Sequence, residues 1–408
     1  MEHRTDVIVV GGGLNGPALA LALAQGGLRV TVIDALPRPS RADASFDGRA
    51  YALSIGSVRM LGALGIWAAV GARAEPILRI KASDGRAGEG AAPWILDFDH
   101  AEIEEGPMGH ILEDRYLRAA LLDALDESDA ITQIAGHEVV AQASTAGGVE
   151  VTLDDGRRIG AALLVGADGR QSGTARRAGI ARTGWGYGQT ALVCAIAHSL
   201  PHHGVAHQFF MPPGPLAILP LPGNRSSIVW SERDETARAI HAASDADYLA
   251  VLRPRFGDFL GDIALEGKRF RYPLNLTLAN AFVGQRLALV GDAAHGMHPI
   301  AGQGLNLGLR DVASLAEVIT DARRRGEDFG GAQVLAQYQQ WRRFDTAVLA
   351  VATDGFNRLF SNDNPLLRLG RDLGMGMVSA LPGLRRRFIR EAAGLTGDLP
   401  RMMTGQSL

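Results

Sequence analysis

Asp6-Val7-Ile8-Val9-Val10-Gly11-Gly12-Gly13-Leu14-Asn15-Gly16-Pro17 is the stretch whose reading decides the fold. Its first five residues are a short β-branched run suited to a buried parallel strand, and Ala18-Leu19-Ala20-Leu21-Ala22-Leu23-Ala24 directly after the glycines is helix-forming. Arg29-Val30-Thr31-Val32-Ile33 reads as a second strand that ends at Asp34, so the segment is a complete βαβ unit. The glycines alone say little. Glycine is 51 of 408 residues, and at that frequency three fixed glycines recur by chance at roughly one start in 512. The strand before them and the helix after them carry the information.

Each part of the unit has a physical task. Gly11 permits the tight turn, Gly13 lets a phosphate approach the backbone, and Gly16 lets the helix lie close on the sheet. With Leu14 and Asn15 in the same loop, the exposed N–H groups and the positive helix end face a pyrophosphate. Asp34 stands where a carboxylate accepts both hydroxyls of an adenosine ribose, which favours FAD or NAD over a 2′-phosphorylated nucleotide. Pro17 is tolerated, because N–H groups in a first helical turn lack intrahelical partners. The plain alternative is a nucleotide-free α/β turn with a capping Asp.

Far along the chain, the strand Arg286-Leu287-Ala288-Leu289-Val290 ends at Gly291-Asp292, followed by Ala293-Ala294-His295 and by Gly302-Gln303-Gly304-Leu305-Asn306 at the head of a helix expected to reach Ile319. An acidic residue at a strand's carboxyl end is where α/β folds place ligand contacts, so Asp292 can accept a ribityl hydroxyl. Gly302, Gln303 and Gly304 then present N–H groups toward the pyrimidine edge of an isoalloxazine, where two-electron reduction leaves negative charge. The two glycine segments read as two walls of one flavin site. His295 and His298, three apart in a Gly/Pro loop without a third ligand or an Asp/Glu partner, give no metal site. His298 stays open as an acid or base beside the ring.

Composition bounds the rest. A chain of 408 residues, 47% hydrophobic, can bury a large core in two or three domains. A net charge of −3 and the lack of a basic stretch interleaved with aromatics argue against nucleic acid. Cys194 is the single cysteine; it excludes an internal disulfide, fits a reducing compartment and reads as a buried small hydrophobe. No signal peptide and no apolar run long enough to span a bilayer is visible.

The fold expected is α/β: a Rossmann-like, glutathione-reductase-like FAD-binding domain with an inserted, mainly antiparallel β-sheet substrate domain and a helical C-terminus. Residues 1–75, 101–180 and 274–345 are assigned to the first, 76–100 and 181–273 to the second, and 346–408 to the third. Pro37 to Asp47 reads as a surface loop, Gly48 to Ser54 as the opening of a helix that continues to Leu64, and Ile159 to Val165 as one strand leading into Gly166-Ala167-Asp168-Gly169-Arg170. Leu117, Leu121 and Leu125 share one face of a helix from Tyr116. Between Thr190 and Ser231, short β segments with a Pro222-Gly223-Asn224 turn indicate the antiparallel sheet.

Gly11-Gly12-Gly13-Leu14-Asn15-Gly16, Val165 to Arg170, and Gly291 to Asp311 together resemble the class A flavoprotein monooxygenases. Within them, the long last motif, Asp47 to Ser54 and the ending Gly397-Asp398-Leu399-Pro400 are most similar to the ubiquinone-biosynthesis hydroxylases, along nearly the whole chain. The resemblance implies that Arg49 and Arg115 contact the flavin cofactor. It links Asp168 with Gly169 to FAD and to productive use of NAD(P)H, makes Asp292 the ribityl ligand, and puts Pro299 and Gly302 to Asn306 around the flavin ring. Read without it, Arg49 and Arg115 are helix-terminus residues and Asp168 a turn former. Asp34 stands where many relatives carry Glu.

The activity implied is aromatic hydroxylation: NAD(P)H reduces FAD, reduced flavin captures O2 as a C4a-hydroperoxide, and the distal oxygen passes to an electron-rich phenolic ring. The protein then supplies a dry chamber and ring placement. Val205 to Trp230 with Tyr272-Pro273-Leu274 is expected to wall the pocket, where Phe209, Phe210, Leu216, Ile218 and Leu219 suit a polyprenylated phenol, half of them filling the core instead. A hydroxylase of another aromatic metabolite, or a non-catalytic flavin-binding subunit of a biosynthetic assembly, stays open as an alternative. The basic, apolar stretch Pro365 to Arg390 suits peripheral contact with a membrane, docking in a biosynthetic complex, or a helical lid with solvated arginines. A cytoplasmic protein, peripheral at the inner membrane in the lipid-contact reading, is expected; homo-oligomerisation is left open.

Overall fold

The computed structural model describes residues 3–45, 48–88, 90–297, 302–360 and 381–408. A six-stranded sheet carries the nucleotide half, in the order Val283–Gly284, Leu287–Leu289, Leu163–Gly166, Val7–Val10, Val30–Asp34, Ile131–Ala135. All but the first of these strands are parallel. Val7–Val10 and Leu163–Gly166 are buried at every position, as central parallel strands covered on both faces must be.

The helix Asn15–Gln25 that follows the first glycines is buried from Gly16 through Leu23. It packs against the helices Gln303–Arg324 and Asp114–Asp126 as well as the sheet, which explains its apolar sequence around the whole circumference. Leu117, Leu121 and Leu125 form the inward face of Asp114–Asp126, as their spacing predicts.

The second large element is an eight-stranded sheet in the order His295–Gly296, Ile263–Ala279, Arg182–His198, Arg225–Arg233, Gly214–Leu221, Val205–Met211, Arg79–Arg86, Gly90–Asp99. Every neighbouring pair is antiparallel except Val205–Met211 with Arg79–Arg86. Strands from near residue 80 and from beyond residue 182 thus share one sheet.

Three local expectations are corrected. Ala50–Ser54 is a strand, paired antiparallel with Gly109–Glu113, and the helix begins only at Ile55 behind Ser54, whose hydroxyl accepts from the Ser57 N–H at 3.3 Å. Its Ala-Tyr-Ala-Leu pattern suits either state, and a partner distant in sequence decides it. The run Ile159 to Val165 is broken at Ala162: Arg158–Ala161 joins a four-stranded sheet and Leu163–Gly166 the six-stranded one. Finally, Pro37 to Asp47 is not all surface loop. Arg38–Arg41 forms one helical turn that carries Arg41 inward, to 4% exposure.

At the other end of the chain, the helix Pro382–Ala392 buries Ile389, and its Arg385 and Arg390 pair with Glu102 at 2.8 Å and Glu105 at 3.8 Å. The described part of this stretch packs on the protein itself; residues 365–380 lie outside the described residues. Beyond them, Arg310 donates to the Thr396 and Asp398 carbonyls at 3.3 and 3.2 Å, and the Trp341 indole donates to the Asp398 carbonyl at 3.1 Å. Asp398 and its neighbours thereby dock on the helix behind Gly302. Among the described residues no single helix is long and apolar enough to cross a membrane.

Candidate active site

The turn after Val10 is closed by steric necessity. Gly11 sits at φ +111, and a Cβ there would lie 2.3 Å from the Ala167 carbonyl oxygen; one on Gly16 would lie 1.9 Å from the carbonyl oxygen of Gly11. Gly13 differs: it is exposed and a Cβ on it would meet nothing within 4 Å. The loop is therefore rigid at its base and open at the point where a phosphate must approach. Asp34 ends the second strand beneath it and accepts the Gly12 N–H at 2.5 Å and the Leu36 N–H at 2.8 Å.

Arg41 was not foreseen here. Its guanidinium donates to the Gly12 carbonyl at 3.3 Å, and its Nε, 3.9 Å from Asp34, has no hydrogen-bond partner among the described residues. Burial pulls its pKa below the usual arginine value, against the pull of Asp34.

The second wall begins at Gly291, at φ +59, where a Cβ would strike the Asn15 carboxamide 2.1 Å away; one on Gly308 would do so at 2.5 Å. Asn15 therefore fills the seam between the two glycine-rich segments, and its buried Oδ1 has no hydrogen-bond partner among the described residues. The walls meet, as the sequence predicts. Asp292 is 41% exposed and pairs with Arg170 at 3.0 Å, while Arg182 fixes the turn by donating to the Asp292 and Ala293 carbonyls at 3.0 and 2.6 Å.

Gly302, at φ +64, precedes the helix Gln303–Arg324, and a Cβ on Gly304 in its first turn would meet none of the described residues within 4 Å. An open backbone at a helix N-terminus is what the electron-rich edge of a flavin needs.

Behind this turn lies a buried polar core. Asp311, fully buried, accepts from the Gly291 N–H at 3.0 Å and from Arg342 at 2.8 Å, and meets His295 Nε2 at 2.5 Å. Burial pushes the Asp311 carboxyl up, but its His295 and Arg342 partners outweigh that and hold it below the ordinary range. His295 thus has the carboxylate partner that its loop alone lacks, supplied from the following helix.

One cavity, about 1740 Å³, lies between the second wall and the eight-stranded sheet. Arg49, Asp292, Gly302, Gly304, Leu305 and Asn306 line it together with Arg170. Its floor is one face of the sheet, with Phe210 and Leu219 on it and Tyr272, Pro273 and Leu274 beside them. Phe209, Leu216 and Ile218 turn the other way, into a core with Trp230 and Tyr248. The alternation predicted for these five side chains holds. Cys194 is buried in that core too, where burial pushes its thiol up to about 11.

Other predicted residues act at one remove. Asn306 accepts from the Ser54 N–H at 2.9 Å and the Ser57 hydroxyl at 2.7 Å and donates to the Ala52 carbonyl at 2.7 Å, so its side chain ties strand Ala50–Ser54 to the wall. The Asp168 carboxylate accepts from Ser172 at 2.5 Å and from both the N–H and hydroxyl of Thr174 at 2.9 Å, anchoring the helix Gly173–Arg177. Arg49 lies 3.3 Å from Asp114, and Arg115 donates to Glu113 at 2.7 Å. His298 and Pro299 lie outside the described residues. The sequence signal for Arg41, Arg170 and Arg182 was only that a carboxylate or anion needs a counter-charge.

A family model described as an FAD binding domain matches residues 4–350. The ubiquinone hydroxylase UbiL of Rhodospirillum rubrum is 45% identical over all of this chain and 94% of its own length. The 3-demethoxyubiquinol 3-hydroxylase of Escherichia coli is 36% identical over 97% of this chain and all of its own. Among solved structures, the p-nitrophenol 4-monooxygenase PnpA from Pseudomonas putida superposes with a TM-score of 0.80 over 97% of this chain and 99% of that one; at 20% identity this speaks for the fold.

Proposed function

The chain belongs to the FAD-dependent monooxygenases, among the ubiquinone hydroxylases, and from that premise we propose that it hydroxylates the ring of a polyprenylated phenol in ubiquinone biosynthesis, with NAD(P)H as co-substrate. The observation that carries the substrate reading is the single cavity with a polar, glycine-rich wall on one side and an apolar sheet face on the other. Ligand pockets commonly measure roughly 300–1,000 Å³; this one is larger. It has room for an isoalloxazine and a ring with an isoprenoid tail.

The residues present fit FAD. Among the described residues, the backbone at Gly13 is open where a pyrophosphate must come, the Asn15 Oδ1 and Arg41 Nε beside it have no hydrogen-bond partner, and nothing crowds Gly304 at the ring edge. In this reading the N–H groups of Gly11 to Gly16 hold the pyrophosphate, with Leu14 and Asn15 closing the loop, and Asp34 takes the ribose. Arg49 and Arg115 serve the anionic half, Asp292 takes a ribityl hydroxyl, and Gly302 to Leu305 present N–H groups to the pyrimidine edge. Asn306 and Asp168 are positioning residues. Bound FAD supplies the redox chemistry and the activation of O2.

What the chain adds is exclusion of water by the apolar floor and placement of the phenol ring against the second wall. The experiment is substrate-stimulated NAD(P)H oxidation by purified FAD-loaded protein, comparing 2-polyprenylphenols with small soluble phenols. A stimulation at least about tenfold greater for the prenylated compounds supports the reading. Equal stimulation favours a hydroxylase of another aromatic metabolite, and none at all favours a flavin-binding subunit without turnover.

A further inference from the structure

We infer that the Gln208 carboxamide is the polar contact for the ring oxygen of the substrate, and so a specificity-determining residue in the floor of the cavity. The inference rests on the prenylphenol reading above. Gln208 lies on strand Val205–Met211, opposite Ala217 on one neighbouring strand and Ala82 on the other. Directly opposed residues share a face of a sheet, and all three line the cavity. Its neighbours in sequence turn away: the rings of His207 and Phe209 pack on Phe259 on the far face, with centroids 4.4 and 6.3 Å apart.

A half-buried carboxamide therefore stands between two alanine methyl groups, and it has no hydrogen-bond partner among the described residues. Once an apolar ligand excludes water from the cavity, such an amide costs free energy unless the ligand itself satisfies it. Its position fits that ligand. Ala206, two residues earlier, packs in one cluster with Ala52 and Leu219, and Ala52 lies against Gly302, where an added Cβ would come within 2.9 Å of it. Gln208 is thus about 7 Å farther along the floor from the flavin wall.

Ala82 and Leu96 stand in the same row as Gln208 and Phe210 lies two residues farther along, the three packing together as an apolar cluster on the side of the amide away from the wall. The order along the floor is wall, amide, hydrocarbon. A phenol with an isoprenoid tail has the same order of ring, oxygen and chain. Either end of the amide can serve, since its N–H2 donates to a phenolate or carbonyl oxygen and its oxygen accepts from a hydroxyl.

The test is equilibrium binding to the FAD-loaded full chain, followed by the flavin absorbance change, with 2-geranylphenol and geranylbenzene as probes. The wild-type chain should prefer the phenol at least about tenfold, and Gln208→Leu should lower that preference to within about twofold while keeping its FAD and its Tm. Gln208→Met, with similar reach and no amide, repeats the test should the leucine variant not load FAD. Full preference retained in either variant, or equal binding of both probes by the wild type, overturns the assignment of Gln208. Binding of neither probe by the wild type overturns the prenylphenol reading, and the role of Gln208 with it.

Discussion

Around Gly13 and Gly304 the protein offers open backbone, whereas on the cavity floor Ala82, Gln208, Phe210, Ala217 and Leu219 offer side chains from three separate segments of the chain. The first region tolerates almost nothing where it is tight, since a methyl group on Gly11 or Gly16 would overlap a carbonyl oxygen. On the floor, Gln208 and Ala217 are only half-buried and face the cavity, so their size and polarity can change at less cost to their neighbours. In the proposed reading the contrast divides the duties: the backbone wall fixes where the cofactor lies, and the side-chain floor sets which ring is accepted beside it.

The largest effect is expected from the buried support of the backbone wall. Asp311→Ala leaves the buried Arg342 with only the partly exposed Asp345, at 3.1 Å, and should cost about 3 kcal/mol in urea unfolding. A cost below about 1 kcal/mol would mean that the His295–Asp311–Arg342 core does not hold the turn. The sign with pH follows from the lowered pKa of Asp311 in the folded chain. Its contribution is present above the unfolded value of about 3.9 and is lost as pH falls through the folded value. Wild-type stability should therefore drop more steeply than that of the variant below about pH 4.

Next is Gly16→Ala, which places a methyl group on the Gly11 carbonyl oxygen. Overpacking against backbone should cost about 1–3 kcal/mol and release the flavin, read by thermal melts and by the yellow colour after gel filtration. Retention of both would show the turn to be softer than its geometry.

Asp292→Ala should leave the melting curve of the apoprotein nearly unchanged, because Asp292 is well exposed and paired with the equally exposed Arg170. Its FAD affinity should fall roughly 10- to 100-fold, the loss of a charge-assisted hydrogen bond or two. Titration of apoprotein with FAD measures it. Normal affinity would remove Asp292 from the site.

The smallest effect on cofactor binding belongs to the floor. Ala217→Val adds methyl groups toward the cavity and should change stability by less than about 1 kcal/mol with FAD binding intact, while lowering turnover of long-chain substrates relative to short ones. A large destabilisation would mean that this face is packed core.

The same contrast explains what could be read from the sequence. A backbone wall advertises itself, because only glycine meets its steric demands and the strand and helix on either side are local; Gly11, Gly13, Gly16, Asp34 and the Gly302 helix start were all legible. Asp168 and Asn306 were found, yet their side chains are spent on Thr174 and on the strand Ala50–Ser54, a division of labour visible only once distant segments are together.

Arg41 was read as surface because a polar, proline-containing stretch looks solvated, and the Gly12 carbonyl and Asp34 that draw it inward lie on other segments. Strand Ala50–Ser54 was read as helix for the same reason, since its partner Gly109–Glu113 is remote. Gln208 carries no motif at all. Its meaning comes from the two alanines opposite it, which pairing supplies and sequence does not.

The central claim is that both glycine-rich segments close on one FAD, and a crystal structure of the chain with FAD tests it most directly. The account predicts the pyrophosphate on the N–H groups of the Gly11–Gly16 loop and the isoalloxazine edge on Gly302 to Leu305, facing the floor that holds Gln208. A dinucleotide held by the first segment with its ring turned away from Gly302, or lying outside the cavity, would contradict it.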